Sequence, residues 1–324
     1  MFHKCLFFYF ILSKLRKYLK VTEVYTCSNE WGKIDYEFVP SLANLKYNNA
    51  FLKHDESRRC NYLKSVERGS RKMNMNVATP VDVVSRYCAG WGGIEEYDQT
   101  LELAWDNLKD ISICGTLVVA DGSGSMTMPV SGKTTALDVA NALAIYSSEH
   151  NNEVYKDKYI TFSATPQFVD LSKANNLREK LHIALKHDEV ANTNIEAVFD
   201  LILDVAVENN ILKTEMIKNI LIISDMEFDH AQGYYFNKGN KLTKPLFDEI
   251  RERYKKAGYD LPKLIFWNVN SRTKTIPLIE NELGVTLVSG FSQNVLKMVM
   301  SNKYNPYEVL IKTLDSERYT AVIV

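Results

Sequence analysis

From Gly115 onward, short apolar runs alternate with longer amphipathic stretches, and this alternation limits what the chain can fold into. Thr116-Leu117-Val118-Val119-Ala120 is a continuous apolar run, as a strand covered on both faces must be. Similar runs follow at 159–162, 220–223, 264–267 and 285–288. Between them, residues 135–150, 176–186, 195–208, 244–256 and 292–301 carry the apolar spacing of helices. Strand, helix, strand, helix is the sequence form of a doubly wound, mostly parallel α/β sheet with helices on both faces. Residues 167–171 follow the second strand closely and predict an antiparallel edge strand.

Residues 1–110 read differently, as an α-helical region preceding an α/β domain over 111–324. Pro40-Ser41 stands before Leu42, Leu45, Phe51 and Leu52 at near-helical spacing, and Asp55 can cap a second helix that stops near Gly69. Thr79-Pro80-Val81-Asp82 is a helix start, with a capping hydroxyl, proline at the first helical position and an acid in the first turn. A further helix is expected from about Asp98 to Lys109.

Composition excludes several classes. With 39 Lys and Arg against 40 Asp and Glu, the chain is no wholesale polycation. At 46% apolar and 24% charged residues, it is neither disordered nor membrane-embedded as a whole. The five cysteines (Cys5, Cys27, Cys60, Cys88, Cys114) form no C-x-x-C pair, which points to free thiols in a reducing, cytoplasmic setting. The apolar run at 6–12 is far short of the ~20 residues of a spanning helix, so no stable membrane insertion is expected. Lys14, Arg16, Lys17 and Lys20 follow the run rather than precede it, unlike a signal peptide. A core-facing helix is the expectation here, ahead of a membrane-surface anchor.

The chemistry sits where ligands bind in such sheets, at the carboxyl ends of the strands. After the first strand comes Asp121-Gly122-Ser123-Gly124-Ser125, with a carboxylate and two hydroxyls at alternate positions. Alternation in an extended turn aims the three oxygens the same way. Thr193 stands where a later helix opens, and Asp225 ends a later strand. Hard oxygen donors of this kind suit Mg²⁺, Mn²⁺ or Ca²⁺, with Mg²⁺ the leading expectation.

Asp121, Ser123, Ser125, Thr193 and Asp225 together resemble the metal-ion-dependent adhesion site of von Willebrand factor A domains, a Rossmann-like fold. The resemblance covers roughly residues 112–302. It implies that a protein ligand supplies an Asp or Glu to an open position on the metal. Trp31-Gly32-Lys33-Ile34-Asp35-Tyr36, Val39-Pro40-Ser41, Phe51-Leu52-Lys53-His54-Asp55, Trp267-Asn268-Val269-Asn270 and Val288-Ser289-Gly290-Phe291-Ser292 resemble segments of the domain of unknown function 2828 family. That family joins a helical region to a von Willebrand A-like domain and occurs in plants, fungi and giant DNA viruses. The helical part is shorter here than in the family. A more distant resemblance is to the TROVE class of RNA-binding proteins.

Three other readings compete for the same chain. Arg58, Arg59, Lys64, Arg68, Arg71 and Lys72 cluster in the helical region. They are candidate phosphate contacts for RNA, with Lys64, Arg68, Arg71 and Lys72 on one helix face; a solvated helix face is the plainer explanation. Residues 127–134, ending Gly132-Lys133-Thr134, resemble a Walker A loop and raise a nucleotide- or metal-dependent hydrolase. Thr127 replaces the first glycine of that motif, and the segment begins well past the strand end. No nucleophile–base pattern stands out among the six histidines, so no catalytic residue is assigned. Glu227, Asp229, His230 and the aromatic, glycine-rich segment 233–240 follow Asp225 on the same edge. They read as a recognition loop or as a surface insertion.

Overall fold

The computed structural model describes residues 11–88, 93–109, 115–152, 154–163, 165–187, 194–225, 244–270, 278–280, 285–300, 307–308, 311 and 314–315. The chain forms two compact units, one of Met1–Val83 with Tyr97–Lys109 and one of Val84–Glu96 with Asp110–Val324.

The first unit is helical: α1 (Thr22–Cys27), α2 (Ser41–Lys46), α3 (Asn48–Glu67), the start of α4 (Pro80–Tyr87) and α5 (Gln99–Asp106). Its helix starts follow from local chemistry. Thr79 and Asp82 exchange hydrogen bonds at the head of α4, with the Thr79 hydroxyl donating to Asp82 Oδ2 at 2.6 Å. Asp98 accepts the amides of Thr100 and Leu101 at the head of α5. Asp55 leaves helical geometry within α3, so the two helices expected on either side of it meet at a kink. Gly69, at φ +70°, follows the helix end at a conformation that favours glycine.

Arg59 occupies the middle of this unit and is fully buried. Its guanidinium lies 5.1 Å from the Tyr36 ring, 5.3 Å from Phe51 and 5.6 Å from Tyr62. Nη1 donates to Asn44 Oδ1 at 3.0 Å and Nη2 to Asn48 Oδ1 at 3.3 Å. Burial pulls the pKa of Arg59 below the ordinary arginine value. One expectation fails nearby. Leu42 is exposed, whereas Leu45 and Phe51 are in the core. The run 6–12 lies mostly outside the described residues; Ile11 near its end is exposed, as are Leu15, Tyr18 and Leu19 after it. Among the described residues, no helix is long and apolar enough to cross a membrane.

The second unit is a seven-stranded sheet. Its strands are β1 (Thr116–Ala120), β4 (Lys158–Thr161), β5 (Phe168–Asp170), β6 (Asn219–Ser224), β7 (Lys263–Asn268), β8 (Leu278–Glu280) and β9 (Thr286–Ser289). They lie in the order β5-β4-β1-β6-β7-β9-β8. The inner five are parallel, and β5 and β8 pair antiparallel at the edges. This is a doubly wound, mostly parallel α/β fold. Helices α6 (Ala136–Glu149), α7 (Leu177–Ala184), α8 (Ile195–Glu208), α9 (Lys244–Lys256) and α10 (Gln293–Met300) match the amphipathic stretches of the sequence to within two residues. Leu117, Val119, Ile220, Ile222 and Phe266 of the sheet share one core with Phe199 and Ile202 of α8 and Ile250 and Tyr254 of α9. Helix α6 buries nearly every residue and starts on a capping box between Thr135 and Asp138.

Two elements of this unit have no counterpart in the expectations. One is the edge strand β8. The other is the hairpin of β2 (Pro129–Ser131) and β3 (Thr134–Thr135), which takes up the Walker-like segment. Gly132 turns that hairpin at φ +59°, and Lys133 is exposed beside it. A pair of antiparallel strands is not a phosphate-cradling loop running into a helix.

The two kinds of cation in the helical unit differ in what their loss costs. Arg59→Ala leaves the side-chain carbonyls of Asn44 and Asn48 without these donors and opens a void among three rings. We expect a loss of about 3 kcal/mol or more in denaturant unfolding. Arg68→Ala, at the exposed C-cap of α3, is expected to stay within about 0.5 kcal/mol.

Candidate metal centre

The β1–β6 pairing builds the site. Ala120 stands opposite Ile223, so the next residues, Asp121 and Ser224, leave their strands at the same level. The Asp121 amide extends the ladder by donating to the Ile223 carbonyl at 3.1 Å. Beyond it the chain turns into a short 3₁₀ segment, Gly124–Thr127, with Ser123 at its N-cap. This turn brings Ser123 and Ser125 back over the strand ends.

Four predicted donors come together there. Asp121 Oδ1 accepts the Ser123 amide at 2.9 Å. The Ser123 and Ser125 hydroxyl oxygens are 3.1 Å apart. The Ser125 hydroxyl donates to Asp225 Oδ1 at 3.0 Å, across 100 residues of sequence. Asp121 is only 3% exposed, while both serines lie at the surface of the site. Burial pushes the Asp121 carboxyl above the usual carboxylate range. Hydrogen bonds from Ser224 and Ser123 work against that rise, and the neighbouring Asp225 charge adds to it.

The fifth predicted donor, Thr193, lies outside the described residues, as do Glu227, Asp229, His230 and the segment 233–240. The cap of α8 belongs to Asn194, whose side chain accepts the Ala197 amide, and not to Thr193. The Asn194 amide donates to the Ser163 carbonyl at 3.3 Å, which ties the head of α8 to the carboxyl end of β4 beside β1.

Sequence reasoning missed Ser224. It is fully buried, and its hydroxyl donates to Asp121 Oδ2 at 2.6 Å. The signal was a hydroxyl directly before a strand-end acid. Its meaning depends on which strand lies alongside, and that is invisible without the sheet order.

The donor set fits a small divalent cation. Oxygens at adjacent corners of an octahedron of about 2.1 Å radius are about 3.0 Å apart. The Ser123–Ser125 and Ser125–Asp225 separations of 3.1 and 3.0 Å match that edge. A hydroxyl can donate its hydrogen to Asp225 and still offer a lone pair elsewhere. Among the described residues, no group of three or more His, Cys, Asp or Glu side chains could hold a metal, so any ion here depends on the hydroxyls.

The basic residues of the helical unit do not form one surface. Arg59 is internal, as described above, and its predicted phosphate contact is corrected. Arg58 is spent on the fold: it donates to the carbonyls of Trp31 and Ile34 and to Asp55. Lys64, Arg68, Arg71 and Lys72 are exposed, with Arg71 3.6 Å from Glu37. Helix α3 ends at Glu67, so Arg71 and Lys72 do not share a helical face with Lys64.

Two family models divide the chain near residue 116, whereas the structural units exchange residues 84–96. Residues 115–318 match the model of a domain of unknown function, DUF7788, and residues 7–117 match that of another, DUF2828. A curated relative, the uncharacterized protein L728 of Acanthamoeba polyphaga mimivirus, is 31% identical over 325 residues. The alignment covers 94% of this chain and 54% of the relative, so the chain spans about half the relative's length. The crystal structure of the Deinococcus radiodurans RO (RSR) protein aligns at a TM-score of 0.43 with 14% identity. That alignment covers 74% of this chain and 46% of the other.

A buried carboxylate beside a second acid is held against its own desolvation. Asp121→Asn removes that charge while keeping shape; its oxygen can accept the Ser123 amide and its nitrogen can donate to the Ser224 hydroxyl, which reverses its role. In chelator, it is expected to raise stability by about 1 kcal/mol, read as a higher thermal midpoint than wild type.

Proposed function

The chain belongs to the DUF7788 family, with a DUF2828 region before that domain, and on this premise we propose that it is a divalent-metal-dependent interaction module. Its α/β unit holds one cation, Mg²⁺ or its near equivalents Mn²⁺ and Ca²⁺, through Asp121, Ser123, Ser125 and Asp225, with Thr193 as the fifth donor expected from the sequence. The observation that carries this reading is the spacing of oxygens from two strand ends 100 residues apart. When bound, the ion offers an electrophilic position to an incoming carboxylate. Two acids and two hydroxyls neutralise less of its charge than a ring of acids does. The partner is therefore a protein presenting an Asp or Glu.

The chain's own residues prepare the site. Asp121 is fixed by a donor on each oxygen. Ser125 keeps Asp225 close without adding charge. The hairpin of β2 and β3 precedes α6, and the capping box at Thr135 and Asp138 fixes where that helix begins.

A cation that binds only the folded state raises stability by mass action, by about 2.7 kcal/mol at a concentration one hundred times its dissociation constant. Mg²⁺ is expected to raise the thermal midpoint of the wild-type chain. Asp121→Ala and Ser125→Ala are expected to melt at midpoints indifferent to Mg²⁺ and chelator. An unchanged wild-type midpoint across millimolar Mg²⁺ would count against the metal.

A second reading keeps RNA as a partner of the helical unit, through the exposed Lys64, Arg68 and Lys72. Neutralising three phosphates implies that log affinity falls with log salt at a slope of roughly −2 to −3. Filter binding of single-stranded RNA to wild type and to the Lys64→Glu, Arg68→Glu, Lys72→Glu variant tests it. Binding that ignores salt, or survives the triple reversal, would remove this reading.

A further inference from the structure

We propose that the helical unit binds a phosphate monoester, a small organic molecule ending in a phosphate dianion, in a cavity walled by segment 33–36, one face of α3 and Arg71. The site lies wholly within that unit and needs no metal. The cavity holds about 490 Å³, within the range of small-molecule sites, so an organic group fits beside the phosphate.

Its cations come from three places in the chain. Lys33 ends the 3₁₀ turn Trp31–Lys33, Arg58 stands on α3, and Arg71 follows the turn at Gly69. Arg58, Asn61 and Ser65 recur at i, i+3 and i+7, so one face of α3 brings all three to the cavity. Ile34, Tyr36 and Tyr62 supply an apolar wall. Donors remain unspent among these groups. Arg58 is held by the carbonyls of Trp31 and Ile34 and by Asp55, three bonds for a guanidinium with five N–H groups. It is therefore positioned before a ligand arrives and still has donors to give. Arg71 Nε lies 3.6 Å from Glu37, beyond hydrogen-bonding distance, which leaves its fork available. The side chain of Asn61 is exposed and bonds to no other described residue.

The acids nearby already have partners. Asp35, the acid on the cavity wall, accepts the Glu37 amide at 3.2 Å. Asp55 is taken by Arg58 and the Tyr36 hydroxyl, and Glu30 by Lys33. The Lys33–Glu30 and Arg71–Glu37 pairs are exposed, so they hold weakly and yield to a ligand of higher charge. Arginine forks match phosphate oxygens in pairs. Three cations against one wall acid favour a dianion over a monoanion. A phosphate monoester carries about two charges at neutral pH and a phosphodiester about one, so the cavity selects a terminal phosphate over a nucleic-acid backbone.

The test is calorimetric titration of the full chain with phenyl phosphate, inorganic phosphate and dimethyl phosphate. Phenyl phosphate is expected to bind most tightly. Inorganic phosphate lacks the apolar contact and dimethyl phosphate the second charge, so both are expected to bind more weakly. Arg71→Ala and Lys33→Ala, both at exposed positions, are each expected to cost about tenfold in phenyl phosphate affinity, the scale of one hydrogen bond to a charged group. Lys53→Ala removes an exposed cation of α3 that does not line the cavity and is expected to leave the affinity unchanged. An equal loss in Lys53→Ala means diffuse attraction and overturns the site. Dimethyl phosphate binding as tightly as phenyl phosphate overturns the preference for a monoester. Wild type that binds no phenyl phosphate at millimolar concentration, or folded Arg71→Ala and Lys33→Ala proteins that bind it like wild type, overturn the proposal outright.

Discussion

The register of β1 against β6 is the constraint on which the α/β unit's chemistry depends. Five consecutive parallel pairs, from Thr116–Asn219 to Ala120–Ile223, fix the two strand ends at one level. Asp121 and Ser224 then meet across the gap, and Asp225 falls within reach of Ser125. A slip of one residue would carry Ser224 and Asp225 out of register with Asp121 and Ser125. The apolar side chains of both strands, buried on both faces of the sheet, hold the register. The hydrophobic pattern that makes the sheet therefore also positions the oxygens.

The helical unit is organised by a different means. Its centre is a charge, the guanidinium of Arg59, surrounded by Tyr36, Phe51 and Tyr62, with Nη1 and Nη2 donating to Asn44 and Asn48 and Nε buried without a hydrogen-bond partner. Asn48 also accepts the Thr100 hydroxyl, so α5 joins the same network. Such a network ties α2, α3 and α5 to one arrangement, because shifting any of them strands a buried polar group. Arg58, one residue earlier, performs a related task at the periphery by closing the carbonyls of Trp31 and Ile34. Of two adjacent arginines that look like a nucleic-acid patch in the sequence, Arg59 is internal and Arg58 is an exposed side chain tied to the fold.

Segment 127–134 shows how a motif can mislead. Its Gly-Lys-Thr ending matches a nucleotide loop, yet the positive φ of Gly132 serves a hairpin turn. Glycine supplies the same conformational freedom to both structures, so the residue type cannot distinguish them. What distinguishes them is position: a phosphate loop must run directly from a strand end into a helix, and here the strand end is already taken by Asp121 to Ser125. In the opposite sense, the Asp-x-Ser-x-Ser spacing was informative, although the turn into the 3₁₀ segment Gly124–Thr127, and not extended alternation, brings the oxygens together.

The sequence by itself determined most of the elements, though not β8, the β2–β3 hairpin or α1. Continuous apolar runs gave β1, β4, β6, β7 and β9; helical periodicity and caps such as Asp98 and Thr79 gave the helices; alternation marked Asp121, Ser123 and Ser125 as donors. Each depends on interactions within a few residues, where period and propensity act. Only the tertiary structure decided that β1 lies between β4 and β6, that Ser224 grips Asp121, and that Arg59 is inside while Lys64 and Arg68 are outside. These depend on contacts between residues up to 103 positions apart. Strand order and helix rotation are set by burying the whole apolar surface at once, a sum over the entire chain that no short window contains.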